Sequence, residues 1–185
     1  MTYKRDKKSD ILTSKKAVFL DRDGVLNVDT GYPHRVKDLV LIKGVEEALS
    51  FLRDKGYLLI VVTNQSGVAR GMFSVEDVEN FHAELQRQLV PKSAQIDAFY
   101  MCPYHPEATI KCFKEDHFDR KPNPGMIERA ISDFGIDRQQ SFLIGDKETD
   151  VQAAAAAGIR GYLFDGTDLY SFVQHIFEPY VGSGT

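Results

Sequence analysis

Ala17-Val18-Phe19-Leu20 runs without a spacer into Asp21-Arg22-Asp23-Gly24. Four apolar residues followed at once by charge have the length of a buried strand rather than of a helix, and the break in polarity marks the strand's end. The same junction recurs twice. Leu58-Leu-Ile-Val-Val62 runs into Thr63-Asn-Gln-Ser66-Gly67, and Ser141-Phe-Leu-Ile144 runs into Gly145-Asp146-Lys-Glu-Thr-Asp150. Ala98-Phe-Tyr-Met101 and Gly161-Tyr-Leu-Phe164 are two further strand-sized runs.

Between these runs the apolar period changes from that of a strand to that of a helix. Val45, Ala48, Leu49 and Leu52 share one helical face, and Gly56 offers a C-terminal cap. Ser74-Val-Glu-Asp77 is a capping sequence ahead of Val78, Phe81, Leu85 and Leu89. Helices over Pro124 to Phe134 and Val151 to Ala157 end at Gly135 and Gly158; the alanine run Ala153–Ala157 reads as a tightly packed helix, alanine being the best helix former. A weaker helix near Leu169 to Ile176 precedes a frayed Val181-Gly-Ser-Gly-Thr185 tail. Strands alternating with helices predict an α/β fold, a three-layer, doubly wound, Rossmann-like parallel sheet. The chain reads as one domain over 1–185, with its core over about 17–166.

At 185 residues, 43% hydrophobic and 27% charged, the chain can bury its own core and is neither disordered nor fibrous in composition. Lys and Arg total 23 against 27 Asp and Glu, so the net charge of -4 provides no field for nucleic acid. The longest apolar run, Tyr57 to Val62, is far shorter than the ~18–20 residues a membrane span requires. Met1 to Asp10 is charged and leads into an apolar run too short for a signal-peptide core. Cys102 and Cys112 are too few for a disulfide scaffold. These features leave a soluble enzyme or binding domain of a reducing compartment, with neither nucleic acid nor membrane as partner. The expected setting is the cytoplasm, the expected partner a small molecule and the expected state a monomer, although no residue reports the oligomeric state.

Ligands of open parallel sheets lie beyond the carboxyl ends of the strands. Three strand ends here deliver polar clusters to one rim, two of them carboxylate pairs. One such cluster alone would read as loop and cap residues; converging carboxylates at one rim are costly unless a cation holds them. Oxygen-only ligands point to a hard ion, most simply Mg²⁺. Asp21 can then attack phosphorus to form an aspartyl-phosphate, while Asp23 protonates the leaving oxygen and later deprotonates water. Donors for the phosphoryl oxygens come from Thr63 and the amides after it. Lys121 is the other candidate donor: a solvated surface lysine would fit the composition as well, but Pro122 and Pro124 restrict where it stands. The polar stretch 102–122, without periodicity, reads as an ordered excursion over the site's edge.

At these residues the chain resembles the haloacid dehalogenase-like (HAD) phosphatase superfamily, from Ala17 to about Gly166. Leu20-Asp21-Arg-Asp23-Gly24-Val25-Leu26 matches the first motif, Val62-Thr63-Asn64-Gln65 the second, Arg120-Lys121-Pro122 the third and Ile144-Gly145-Asp146-Lys-Glu-Thr-Asp150 the fourth. Asn27-Val-Asp29-Thr-Gly31-Tyr32, Thr63-Asn-Gln-Ser-Gly-Val-Ala-Arg-Gly71 and Cys102-Pro-Tyr-His-Pro106 are similar to the branch shared by heptose-bisphosphate and histidinol phosphatases.

The resemblance implies Asp21 as nucleophile, Asp23 as acid/base, Thr63 and Lys121 as phosphoryl stabilisers, and Mg²⁺ on Asp21, the Asp23 backbone carbonyl and Asp146, with Asp150 in support. Substrate contacts would come from Asp29, Thr30, Gly31, Tyr32, Asn64, Gln65, Ser66, Arg120 and Lys147. Those residue types suit a sugar that carries a second phosphate. Arg120 could equally pair with Asp119, and Lys147 could neutralise the acidic rim. Only about twenty residues, Asn27 to Gly44, follow the first motif before the next helix, leaving no room for a large cap domain.

The implied activity is hydrolysis of the 7-phosphate of a heptose 1,7-bisphosphate, in the building of nucleotide-activated heptose. Histidinol phosphate is the alternative substrate, and a silent sugar-phosphate-binding module the alternative of another class. In one respect the chain departs from the family. A zinc loop usual there would use Cys-x-His and Cys-x-Cys, but Tyr104, His117 and Asp119 stand at three of those positions. Cys102, His105, Cys112 and His117 have suitable ligand types at a spacing that fits no zinc pattern, so structural zinc is not expected.

Overall fold

The computed structural model describes residues 14–178, so the N-terminal leader and the C-terminal tail read from the sequence lie outside the described residues. Five parallel strands form one sheet in the order β3-β2-β1-β4-β5: β1 Lys16–Leu20, β2 Tyr57–Asn64, β3 Ala98–Cys102, β4 Phe142–Gly145 and β5 Arg160–Leu163. All five predicted strands are present, with ends shifted by one or two residues. The helices are α1 Val45–Asp54, α2 Ser66–Ala69, α3 Val75–Leu89, α4 Gly125–Phe134, α5 Glu148–Ala156 and α6 Leu169–Phe177.

Side-chain alternation along the strands sorts the core into two layers. Val18, Leu20, Leu59, Val61 and Ile144 face α1, α3 and α6 through Leu49, Leu52, Phe81, Leu85 and Val173. Ala17, Phe19, Ile60, Val62 and Leu143 face α4 and α5 through Met126, Ile127, Ala130, Ala153 and Ala154. Of the alanine run, Ala153, Ala154 and Ala157 are buried while Ala155 and Ala156 are exposed, so one face of that helix packs. The predicted cap before α3 is a full capping box: Ser74 Oγ accepts from the Asp77 amide (3.1 Å) and the Asp77 carboxylate accepts from the Ser74 amide (2.8 Å).

The chain moves outward from β1 through β2 to β3, then returns to add β4 on the other side of β1. Strand order therefore reverses between β1 and β4, and the crevice at their carboxyl ends is where such sheets bind ligands. The ladder extends one residue past β1, where the Asp21 amide donates to the Ile144 carbonyl (3.0 Å). No helix among the described residues is long and apolar enough to cross a membrane. Between Leu20 and α1 the described chain holds only a short 3-10 turn at Val36–Asp38, with no cap domain.

Candidate active site

A cleft of about 430 Å³ opens above the carboxyl ends of β1, β2 and β4, lined by Asp21, Asp23, Thr63, Gln65, Arg120, Lys121 and neighbours. Another cavity, of about 310 Å³, lies at the opposite amino ends of β4 and β5 against Arg138, Phe142 and Arg160; none of the acidic clusters reaches it.

Asp21 is the hub of the cleft. Its Oδ1 accepts from the Arg22 amide (2.8 Å) and pairs with Lys121 Nζ (2.9 Å), which leaves Oδ2 without such a bond. Lys121 is buried, and its Nζ also pairs with Asp150 Oδ1 (2.6 Å) and donates to the Val62 carbonyl (2.8 Å). Burial alone would push its ammonium down; Asp21 and Asp150 override that and hold it above its ordinary range. The prolines are not what aims this cation: the two carboxylates fix Nζ, and Asn64 clasps the Lys121 backbone by accepting its N–H (3.1 Å) and donating to its carbonyl (3.0 Å).

Asp146 and Asp150 arrive with β4 and the start of α5. One oxygen each of Asp21, Asp146 and Asp150 lie within 4.8 Å of one another. Asp146 Oδ1 is buried with no hydrogen-bond partner. Burial first, then the Asp21 charge, pushes the Asp146 carboxyl up to about 6. A buried, unpartnered carboxylate oxygen in a group of three acids fits a hard divalent cation, Mg²⁺ above all. Asp150, expected to act in support, belongs to this group directly and also caps α5 by accepting the Lys147 amide (3.0 Å). Two glycines make room. A Cβ on Gly24, at φ 89°, would sit 2.3 Å from Asp146 Oδ2, and one on Gly145 would sit 2.2 Å from the Asp150 Cβ.

Asp23 turns away from that group. Its carboxylate accepts from Arg22 Nε (2.9 Å), Arg22 Nη2 (2.9 Å), Asn27 Nδ2 (3.0 Å) and Gln65 Nε2 (3.0 Å). A metal contact from Asp23 would therefore be left to its backbone carbonyl. Gln65 Nε2 also reaches Thr63 Oγ1 (2.9 Å), tying the second strand end to the first.

Of the residues named from sequence as substrate contacts, Asp29, Gly31, Tyr32, Asn64, Gln65, Ser66, Arg120 and Lys147 line the cleft. Thr30 does not. Asp29 Oδ1 accepts the Gly31 amide (2.9 Å), which leaves Thr30 exposed at the tip of that turn and outside the lining. Tyr32 holds a left-handed φ of 58°, uncommon for an aromatic residue and a form of strain that clusters at functional loops. Lys147 bridges Asp29 (3.3 Å) and Asp146 (3.8 Å), so its rim-neutralising role is present in the structure. Arg120 is half-buried and donates to the Tyr104 carbonyl (3.4 Å); burial pushes its guanidinium down from its ordinary range. Its alternative partner Asp119 pairs instead with Arg129 (3.1 Å). Thr149 lines the cleft without having been singled out from sequence.

Over 102–122 the structure does not gather Cys102, His105, Cys112 and His117: among the described residues the one group suited to a metal is Asp21, Asp146 and Asp150. Cys102 is buried and Cys112 exposed. Tyr104 stacks on His117 with centroids 4.2 Å apart and planes 6° off parallel, and Phe113 meets Tyr104 edge-on at 5.7 Å. Two of the positions at which the family would bind zinc thus form an aromatic stack.

A family model described as HAD-hydrolase-like matches residues 118–166. D-glycero-beta-D-manno-heptose-1,7-bisphosphate 7-phosphatases of Haemophilus ducreyi and Rhodopseudomonas palustris are 46% and 41% identical to the chain. The first match covers 79% of the chain and 80% of that relative, the second 88% and 90%. The alpha-anomer enzyme of Burkholderia mallei is 44% identical, over 78% and 76%. Among solved structures, a putative HAD-like phosphatase of Mesorhizobium loti superposes with a TM-score of 0.78 at 32% identity, covering 90% of each chain. The D,D-heptose 1,7-bisphosphate phosphatase of B. bronchiseptica, complexed with magnesium and phosphate, gives 0.74 at 29% identity, over 87% of this chain and 97% of that one. With relatives above 40% identity over about four fifths or more of both chains and residues of all four motifs meeting in one cleft, the chain belongs to the heptose-bisphosphate phosphatase family of HAD-like hydrolases.

Proposed function

We propose that the protein is a Mg²⁺-dependent phosphatase that removes the 7-phosphate of D-glycero-D-manno-heptose 1,7-bisphosphate through an aspartyl-phosphate on Asp21. The observation that carries this reading is the state of Asp21, whose Oδ1 is tied by Lys121 and the Arg22 amide while Oδ2 stays unbound by either. Oδ2 attacks phosphorus and the bond to the sugar oxygen breaks, Asp23 giving that oxygen a proton. Asp23 then takes a proton from water, which attacks the same phosphorus and returns Asp21 as a carboxylate with release of inorganic phosphate. Lys121 and Thr63 stabilise charge on the transferring oxygens. Asp21, Asp146 and the Asp23 backbone carbonyl, with Asp150 alongside, would hold Mg²⁺, which when bound would neutralise the charge of the incoming phosphate. Every one of these groups comes from one chain, so a monomer suffices, and the setting we infer is the cytoplasm.

Arg120 and Lys147 are the cations we assign to the second phosphate, with Asp29, Tyr32, Asn64 and Ser66 on the sugar hydroxyls. Arg120→Ala is expected to lower kcat/KM for the sugar bisphosphate by about 10–100-fold, the worth of a charge-assisted bidentate contact, and to leave a simple aryl phosphate within a few-fold. Steady-state kinetics on both substrates check it. Phosphate release from heptose 1,7-bisphosphate and histidinol phosphate, measured side by side with and without Mg²⁺, tests the whole reading. Preference for histidinol phosphate would overturn the substrate, and no release from either would favour a silent binding module.

Metal removal has a pH signature. Asp146 takes up a proton near pH 6 in the folded metal-free protein, above its ordinary 3.8. Between those values the folded state binds more protons than the unfolded one, so stability of the metal-free protein falls as pH rises toward 6 and stays low above it. Added Mg²⁺ competes with that proton. The rise in Tm on adding Mg²⁺ is therefore expected to be larger at pH 7.5 than at pH 5, as read by thermal unfolding at matched ionic strength.

A further inference from the structure

Arg22 lies between Asp21 and Asp23 in sequence, and among the described residues it is the largest side chain buried completely. Its guanidinium grips Asp23 as a fork, Nε on Oδ1 and Nη2 on Oδ2, both at 2.9 Å, while Nη2 also donates to the Pro33 carbonyl (2.9 Å). Behind the fork are two residues of α3. The Phe81 ring lies under the guanidinium at 4.4 Å, and His82 Nε2 stands 3.3 Å from Nη1. His82 is buried and stacked on Phe99 of β3 at 4.5 Å. Burial, then the Arg22 charge, pushes its imidazole down to about 3, so it is neutral. Arg22 has only donors, so Nε2 is the acceptor and the proton resides on Nδ1.

A buried ion pair is a poor way to add stability, since apolar residues of equal volume do as well. What a bidentate fork adds is geometry: it fixes both the position and the plane of a carboxylate. We propose that Arg22, seated by Phe81 and His82, is the positioning residue for Asp23: its fork fixes the place and plane of the carboxylate. Asn27 holds Oδ1 and Gln65 holds Oδ2, and it is the Gln65 bond, on the cleft side, that gives way when Asp23 carries its proton to the leaving-group oxygen. This rests on Asp23 being the acid/base, and the test separates the two claims.

Proton donation matters for a sugar or alkyl phosphate, whose alkoxide leaves poorly, and hardly at all for p-nitrophenyl phosphate. kcat/KM reports the transfer to Asp21, the step in which the leaving group departs. Asp23→Asn, Arg22→Lys and His82→Phe, each checked for folding by circular dichroism and Tm, are to be compared on both substrate types. Arg22→Lys keeps the charge and loses the fork; His82→Phe keeps the stack on Phe99 and loses the acceptor. A positioned general acid is worth about 10²–10⁴-fold, so Asp23→Asn is expected to cut the alkyl substrate by that much more than the aryl one, with Arg22→Lys following at about 10-fold or more and His82→Phe in the same sense. If Asp23→Asn lowers both substrates equally, the acid/base assignment fails. If it discriminates while Arg22→Lys and His82→Phe lower both equally or neither, Arg22 is only structural and the proposal is overturned.

Discussion

Asp21→Asn is expected to abolish turnover while leaving the fold in place. The amide keeps the size of the carboxylate and can still accept from the Arg22 amide, so the β1 end retains its local bonds. Lys121 would lose one of its two carboxylates but keep Asp150 at 2.6 Å and the Val62 carbonyl at 2.8 Å, which still compensates its buried charge. What is lost is the attacking oxygen. A neutral amide forms no acyl phosphate, and removal of a nucleophile from a covalent mechanism costs on the order of 10⁴–10⁶-fold in kcat. Phosphate release over hours, beside circular dichroism of the same sample, checks both halves.

Lys121→Met should be the most damaging of these changes to stability, and it lowers activity as well, though by less than loss of the nucleophile. Methionine fits the volume, but it leaves Asp21 and Asp150 facing each other without the cation that now pairs with both. Asp146 stands within 4.8 Å as a third acid. Removing one partner of a buried ion network costs about 3–5 kcal/mol, and removing a donor to the transferring phosphoryl group costs a further 10²–10³-fold or so in kcat. Because a divalent cation can partly stand in for the lost charge, Mg²⁺ should raise the variant's urea midpoint by more than it raises that of the parent. An unchanged midpoint in the variant without metal would show that Lys121 is not the counter-charge assigned to it.

Much of this was legible before any coordinates, because buried parallel strands end abruptly in polarity. Leu20 to Asp21, Val62 to Thr63 and Gly145 to Asp146 each mark a strand end within a residue or two, and such ends converge by the rules of the fold. Short-range signals were legible too, Ser74 with Asp77 at the start of α3 and Gly135 at the end of α4. What did not show was the burial of polar side chains. Arg22 reads as one more charge in a polar motif, and only its enclosure by Phe81, His82 and Pro33 makes it a clamp. Helix α2, four residues long, is too short to show a period. α5 starts three residues before its apolar pattern because Asp150, already assigned to chemistry, also caps it. Tyr104 and His117 read as failed zinc positions, thirteen apart in number, until the loop folds and stacks them.

The central claim is that phosphate passes through Asp21. Mixing the protein and Mg²⁺ with heptose 1,7-bisphosphate radiolabelled in the 7-phosphate, quenching in acid on the millisecond scale and mapping the labelled peptide tests it most directly. The account predicts transient protein-bound phosphate on the peptide that contains Asp21, absent from Asp21→Asn. Full-rate turnover with no protein-bound phosphate, or label on a peptide without Asp21, would contradict it.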